Sequence, residues 1–380
     1  MTRRKSVTAA LALTLGLWST AAYGDVGPIN ATGVIRISGA DRYEVSANVS
    51  TSTATPPQNV VFVASGEVFS DALAAGPAAS RTHAPIMLVR KSAVPASVAV
   101  EIKRLKPANI YLMGGPATVS PSTAVALGAI NGAKVTRLAG ADRYEVAASM
   151  SDGFNNLKTI YIASGEVFPD ALAAGPAVSK EGGAILLTRG TSLPVSTKDA
   201  LLRHQPERVV IVGGPATISA EVEDQIRAIL PAGTDFERYE GRDRYEVAAN
   251  VAAKVFGDGA TAGFYASGEK FPDALSGTPA ADGSHAPILL TTATCTPYET
   301  AKWTQDHAPT LQVLLGGDQS SYEGTTVCGP APTWPDLPKT LTCDDFESTE
   351  AAQQWFDYWE PRIGDKYELD TDGDGVVCTA

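Results

Sequence analysis

The alternation of apolar and polar positions between residues 33 and 133 follows a strand–helix order. Val34-Ile35-Arg36-Ile37 is a short strand, and Val60 to Ala64 is apolar throughout, as is Pro85-Ile-Met-Leu-Val89. Ile110 to Met113 gives a further strand. Helices are predicted between them. Asp41 is a good N-cap, and Glu44, three residues on, completes a capping box ahead of Val45 and Val49. Asp71-Ala-Leu-Ala-Ala opens a helix of small residues, a second runs from about Ala96 to Leu105, and Ser120-Pro121 reads as an N-cap with proline at the first helical position. Strands without polar alternation, interleaved with helices, belong in a parallel sheet covered on both faces.

The same grammar is written three times. Gly39-Ala-Asp-Arg-Tyr-Glu-Val45, Gly140-Ala-Asp-Arg-Tyr-Glu-Val146 and Gly241-Arg-Asp-Arg-Tyr-Glu-Val247 place Arg42, Arg143 and Arg244 in register, 101 residues apart. Ala-Ser-Gly-Glu follows at 64–67, 163–166 and 266–269, then Asp-Ala-Leu at 71–73, 170–172 and 273–275. Gly-Gly-Pro-Ala-Thr closes two copies at 114–118 and 213–217, with Gly316-Gly-Asp-Gln-Ser320 in the third. Later strands are expected at 159–163, 184–188 and 209–212, and at 262–266, 287–291 and 311–315. So long a period predicts small domains, not a solenoid of single hairpins. The expected fold is α/β, with three tandem Rossmann-like units at 33–133, 134–234 and 235–328. The third unit has no successor, so it is expected to end in a cap fastened by a disulfide.

The ends and the charge narrow the class. Arg3, Arg4 and Lys5 precede an apolar run from Val7 to Trp18, and Ala22-Tyr23-Gly24 fits cleavage before Asp25. Residues 1–24 are therefore read as a secretory signal peptide and 25–32 as a lead-in; no later stretch reaches transmembrane length. Loss of the leader's three basic residues takes the formal net charge from −12 to −15. That balance argues against nucleic acid. An anionic ligand would have to be held at local arginine pockets. The four cysteines, Cys295, Cys328, Cys343 and Cys378, all lie late in the chain. In an exported protein they suggest disulfides, and 295–328 with 343–378 keeps each bridge inside one predicted domain.

Arg42, Arg143 and Arg244 stand in the first turn of a helix, where a cation is disfavoured. A fixed carboxylate or phosphate would offset that cost. Two partners are open: an internal clamp to Glu67, Glu166 or Glu269, just past a strand end, or an anionic ligand at those same strand ends. Arg36, Arg137 and Arg238 form a second series with the same alternatives. Ser65, Ser164 and Ser267 have no in-register histidine, since His83 and His285 face Gly182 in copy two, and are read as turn caps. Asp71, Asp170 and Asp273 are read as first-turn aspartates, Tyr43, Tyr144 and Tyr245 as rings packed on the sheet, and His204 and His307 as isolated surface residues.

The words Arg-x-x-Gly-x-Asp-Arg-Tyr, Ala-Ser-Gly-Glu-x-Phe-x-Asp-Ala-Leu, Pro-Ile-Leu-Leu-Thr at 287–291 and Gly-Gly-Pro-Ala-Thr resemble the type 2 cell-wall-binding repeats of Gram-positive surface proteins, over roughly 33–328. The resemblance implies a pseudo-threefold arrangement. It also implies non-covalent attachment to an anionic secondary wall polymer, teichoic-acid-like or other, at sites near unit boundaries.

After a proline-rich linker at 329–341, a small module spans 342–380. Asp370, Asp372 and Asp374 stand at positions 1, 3 and 5 of an EF-hand-like loop, Gly375 is at 6, and Val376 offers its carbonyl at 7. Position 12 has no glutamate in this sequence, so Ca2+ is expected either to bind weakly, at extracellular concentration, or to have its shell completed by a carboxylate such as Asp344, Asp345 or Glu368. The segment resembles the extracellular excalibur-like calcium module, with Thr379 where that signature has glutamate. The sequence thus predicts a non-catalytic wall-binding protein with a disulfide-tied calcium-loop domain. The competing readings are a secreted adhesion or scaffold protein and a wall hydrolase or nuclease.

Overall fold

A computed structural model describes residues 32–154, 156–317, 321, 326–328, 342, 343, 369 and 378. The predicted leader, the lead-in up to residue 31, the linker and the loop ligands Asp370, Asp372, Asp374 and Val376 lie outside the described residues. The first repeat forms β1 (Gly33–Ile37), α1 (Arg42–Thr53), β2 (Val60–Ser65), α2 (Ala75–Arg81), β3 (Ile86–Val89), α3 (Ala96–Leu105), β4 (Asn109–Met113) and α4 (Pro121–Asn131). The second forms β5 (Lys134–Leu138), α5 (Arg143–Ser151), β6 (Thr159–Ser164), α6 (Pro169–Lys180), β7 (Ala184–Thr188), α7 (Val195–His204), β8 (Arg208–Val212) and α8 (Ala220–Ile229). The third forms β9 (Asp235–Tyr239), α9 (Arg244–Phe256), β10 (Ala262–Ser267), α10 (Phe271–Gly283), β11 (Ile288–Thr291), β12 (Thr296–Pro297), α11 (Tyr298–His307), β13 (Leu311–Leu315) and β14 (Val327–Cys328).

Strands pair in parallel throughout, as their apolar character requires; β2 and β10 are buried at every position. The sheet orders are β3-β2-β4-β5, β7-β6-β8-β9 and β11-β10-β13-β1. Sheet and sequence repeat are therefore one strand out of phase. The strand that opens each repeat completes the sheet of the repeat before it. Strand β1 completes the third, from Gly33 opposite Leu311 to Ile37 opposite Leu315. This corrects the expected frayed edge: β13 does receive a successor strand, from the start of the chain. The Cys295–Cys328 bridge, with Cα atoms 5.6 Å apart, instead ties the small β12–β14 pair beside α11.

Helices α2, α6 and α10 pack on one another and form a pseudo-threefold centre. Its axis is filled by in-register small residues. A Cβ placed on Gly76 or Gly175 would lie 2.7 or 2.8 Å from the Thr278 methyl, so two glycines make room for one threonine. At one end Phe69, Phe168 and Phe271 close a triangle, with ring centroids 5.6, 5.9 and 6.2 Å apart. The Asp71 segment departs from expectation, because α2 begins only at Ala75. Cys343 and Cys378 are also bridged, with Cα atoms 5.4 Å apart. Among the described residues no helix is long and apolar enough to cross a membrane.

Candidate functional site

The three arginine-bearing helix starts are built alike. Asp41 Oδ1 accepts the N–H groups of Tyr43 and Glu44, each at 3.0 Å, while Glu44 accepts from Ala40 N–H at 2.8 Å. Asp142 with Glu145 and Asp243 with Glu246 repeat this box. It fixes Arg42, Arg143 and Arg244 as first helical residues at the C-terminal end of the parallel sheet. Each guanidinium donates to the carbonyl of the glycine that follows the strand: Arg42 to Gly66 at 2.5 Å, Arg143 to Gly165, and Arg244 to Gly268 at 2.5 Å. Only glycine allows that approach. A Cβ at Gly66 would sit 2.6 Å from the Tyr43 ring and 3.2 Å from Arg42 Cδ, and Gly165 and Gly268 are as crowded.

The expected arginine–glutamate clamp is not formed among the described residues. Glu67 instead accepts the backbone N–H of Lys91 at 3.3 Å, and Glu166 that of Gly190 at 2.9 Å, which ties the loops after β3 and β7. Ser65, Ser164 and Ser267 cap the same turn, taking N–H bonds from Glu67, Glu166 and Glu269 at 3.0–3.1 Å. Two of these guanidinium groups face the preceding unit. Arg143 lies 5.8 Å from the centroid of the Phe69 ring. The charge of Arg244 acts on Asp170, whose carboxyl is pushed up to about 6 by burial against that attraction. The site thus lies at a boundary between units, with Arg143 beside an aromatic ring and Arg244 beside an acidic group of the unit before.

The second series has a different task. Arg137 donates to the carbonyl of Gly114 at 2.7 Å, Arg238 to Gly213 at 2.7 Å and Ile218 at 3.2 Å, and Arg36 to Gly316 at 3.1 Å and Ser321 at 3.0 Å. Arg238 also pairs with Glu223 at 2.8 Å. These side chains lock the Gly-Gly turn of the adjacent strand, and burial pulls the Arg137 guanidinium below its usual range. Asp71 reaches across to Thr118 Oγ1 at 2.8 Å, so it joins two loops and does not cap a helix. His204 is not isolated: its Nε2 lies 3.0 Å from Ser151 Oγ and 3.6 Å from Asp152. His307 stacks on Trp303 with centroids 4.5 Å apart. His83 and His285 hold the left-handed position after their helices, at φ 50° and 51°, where Gly182 serves at 64°.

Arg90 and Arg189 were missed by reading the words that recur three times. They follow directly on β3 and β7, and lie over the Tyr43 and Tyr144 rings, 4.4 and 4.7 Å from the centroids. Burial raises the Tyr43 phenol and Glu67 adds to the effect, while Arg90 and Arg42 oppose it. Tyr144 sits likewise among Glu166, Arg189 and Arg143.

The repeat itself is shared with known proteins. The family model "Cell wall binding domain 2 (CWB2)" matches residues 36–124, 137–223 and 238–325, each segment opening on Arg36, Arg137 or Arg238. The chain is 28% identical over 258 residues to N-acetylmuramoyl-L-alanine amidase LytC of Bacillus subtilis (strain 168), covering 68% of this chain and 50% of that protein. It is 28% identical over 287 residues to the amidase enhancer of the same organism, covering 75% and 38%. Among solved structures, Cwp6 from Clostridium difficile superposes with a TM-score of 0.69 at 26% identity, over 76% of this chain and 46% of that one. Cwp8 from the same organism gives 0.69 at 27% identity, over 75% and 49%. The chain spans half or less of the length of these relatives. Three matched repeats, covering well over half the residues and folded as parallel-sheet units about one centre, place this secreted, wall-associated chain in the type 2 cell-wall-binding family.

Proposed function

We propose that the chain is a non-catalytic wall anchor whose three boundary grooves hold an anionic secondary polymer, teichoic-acid-like or of another acidic type. One observation carries this reading: Arg42, Arg143 and Arg244 are each braced by a glycine carbonyl and paired to no carboxylate among the described residues. Their charge is thus available at a groove, on a molecule whose net charge of −12 would otherwise repel the polymer. Three weak sites on one rigid body act together through effective concentration. Replacing the arginines singly by glutamine is expected to lower retention on purified wall modestly. The triple variant should lose it while keeping its circular dichroism spectrum. Unchanged retention in a folded triple variant overturns the assignment. Binding that survives protease treatment of the wall but vanishes when its polymers are stripped separates this reading from a protein-binding scaffold. Absence of released sugars or peptides separates it from a hydrolase.

The second part of the reading is calcium. Asp370, Asp372, Asp374 and the Val376 carbonyl are hard oxygen donors suited to Ca2+. Leu369 and Cys378, which flank this stretch in the sequence, are joined by a Cys378 N–H to Leu369 carbonyl bond of 3.1 Å. Calorimetric titration of the full chain should give one calcium site, lost in Asp372→Ala. A titration without heat sinks this part alone.

A further inference from the structure

The three grooves are not equivalent. Beside the Tyr43 phenol stand two guanidinium groups, Arg42 and Arg90, and beside Tyr144 stand Arg143 and Arg189. The charges at Tyr245 are Glu269, Arg244 and Asp243, without a second arginine. The position that follows the third strand of the unit is Thr292 there. Its hydroxyl is turned inward, 2.9 Å from the Cys295 carbonyl. The acidic partner of the missing group is still present. Asp41 Oδ2 meets Arg90 at 3.4 Å and Asp142 Oδ2 meets Arg189 at 3.9 Å, whereas Asp243 Oδ2 is buried with no hydrogen-bond partner. Arg242, which only this unit carries ahead of its cap, is held by Glu246 at 2.9 Å and by Glu299.

Arg90 and Arg189 are poor candidates for pure scaffolding. Their side chains are 50% and 45% exposed, and their carboxylate contacts are long. An exposed pair of that length adds little to stability. A planar guanidinium laid on a tyrosine ring is instead preorganised for a second, bidentate partner.

We infer that the first and second units each hold one oxyanion of the polymer, a phosphodiester or a carboxylate, between two guanidinium groups, Arg42 with Arg90 and Arg143 with Arg189. The third unit lacks the second hook and contributes weakly. This rests on the wall-polymer reading above and makes the third of its sites weaker than the other two. The vacancy at 292 is also repairable. The turn there has the same backbone bond in both units, Arg90 N–H to Ala93 O at 3.1 Å and Thr292 N–H to Cys295 O at 3.3 Å, and an arginine gives up only the bonds that the Thr292 hydroxyl accepts from the N–H groups of Thr294 at 3.2 Å and Cys295 at 3.0 Å and donates to the Cys295 carbonyl at 2.9 Å.

The test compares the wild-type chain, the double variant Arg90→Gln/Arg189→Gln and the single variant Thr292→Arg by sedimentation with purified wall, each with a thermal melt. The double variant is expected to bind about tenfold more weakly with a melting temperature near wild type, and Thr292→Arg several-fold more tightly with a slightly lower one, since the turn loses the Thr292 hydroxyl. Retention unchanged in either variant overturns the inference. Walls freed of phosphodiester polymers by hydrofluoric acid, and walls whose carboxyls are amidated, identify the oxyanion by which treatment abolishes binding. Wild-type retention that survives both treatments defeats the wall-polymer reading itself, and this inference with it.

Discussion

Asp170 shows what a buried carboxyl does to a boundary groove. It is 6% exposed, lies in the first turn of α6, and has a pKa pushed up to about 6 by desolvation, with Arg244 pulling the other way. A carboxyl raised in the folded state contributes stability that is complete below its unfolded value, near 4, and is lost as pH rises through the folded value. Two pKa units amount to about 3 kcal/mol. Asp170→Asn has no such penalty. Its melting temperature should therefore gain on the wild type as pH rises from 4 to 7, with most of the gain below pH 6.5. An equal difference at both ends of that range overturns the argument. The neighbouring Arg244 would then owe nothing to Asp170.

At the scale of elements, what was legible is what is local. The Asp41–Glu44 capping box reads from spacing alone because both hydrogen bonds close within four residues. Helix α3 falls at Ala96–Leu105 as expected, because Val98, Ile102 and Leu105 line one buried face. The start of α2 was not legible. Asp71 looks like a cap, but its carboxylate is taken by Thr118 across the groove, so the chain turns until Ala75. Arg90 and Arg189 escaped for a related reason. They occur in two copies of three, and their stacking on Tyr43 and Tyr144 is a tertiary contact that no periodicity encodes. The arginine series Arg42, Arg143 and Arg244 was found by register. Its partner, a backbone carbonyl and not a glutamate, depended on how closely Gly66 approaches Tyr43. A strand's neighbour is likewise invisible in its own five residues, which is why the phase between repeat and sheet emerged only from the pairing.

That phase shift governs the whole molecule. Because each sheet borrows its last strand from the next repeat, the chain closes on itself only when β1 reaches β13. The closure bonds are equivalent in all three units: Gly114 N–H to Leu138 O at 2.8 Å, Gly213 N–H to Tyr239 O at 2.9 Å and Gly316 N–H to Ile37 O at 2.9 Å. The first two join strands linked by one helix; the third joins residues at opposite ends of the repeat region. A chain beginning at Ser38 lacks the buried Ile37 and the Arg36 bonds to Gly316 and Ser321, a loss on the order of 3–5 kcal/mol confined to the third sheet. It also leaves β13 as an open edge. Amide exchange at Gly316 and along β13 should accelerate by two or more orders of magnitude in this truncation, while Gly114 and Gly213 stay protected and serve as internal controls. Equal acceleration at all three glycines would mean that the units melt together and that β1 is not a local latch. Arg42 begins only five residues after Ile37, so releasing β1 also unseats the groove between the third and first units, and wall retention should weaken even though every arginine of that groove is still in the chain.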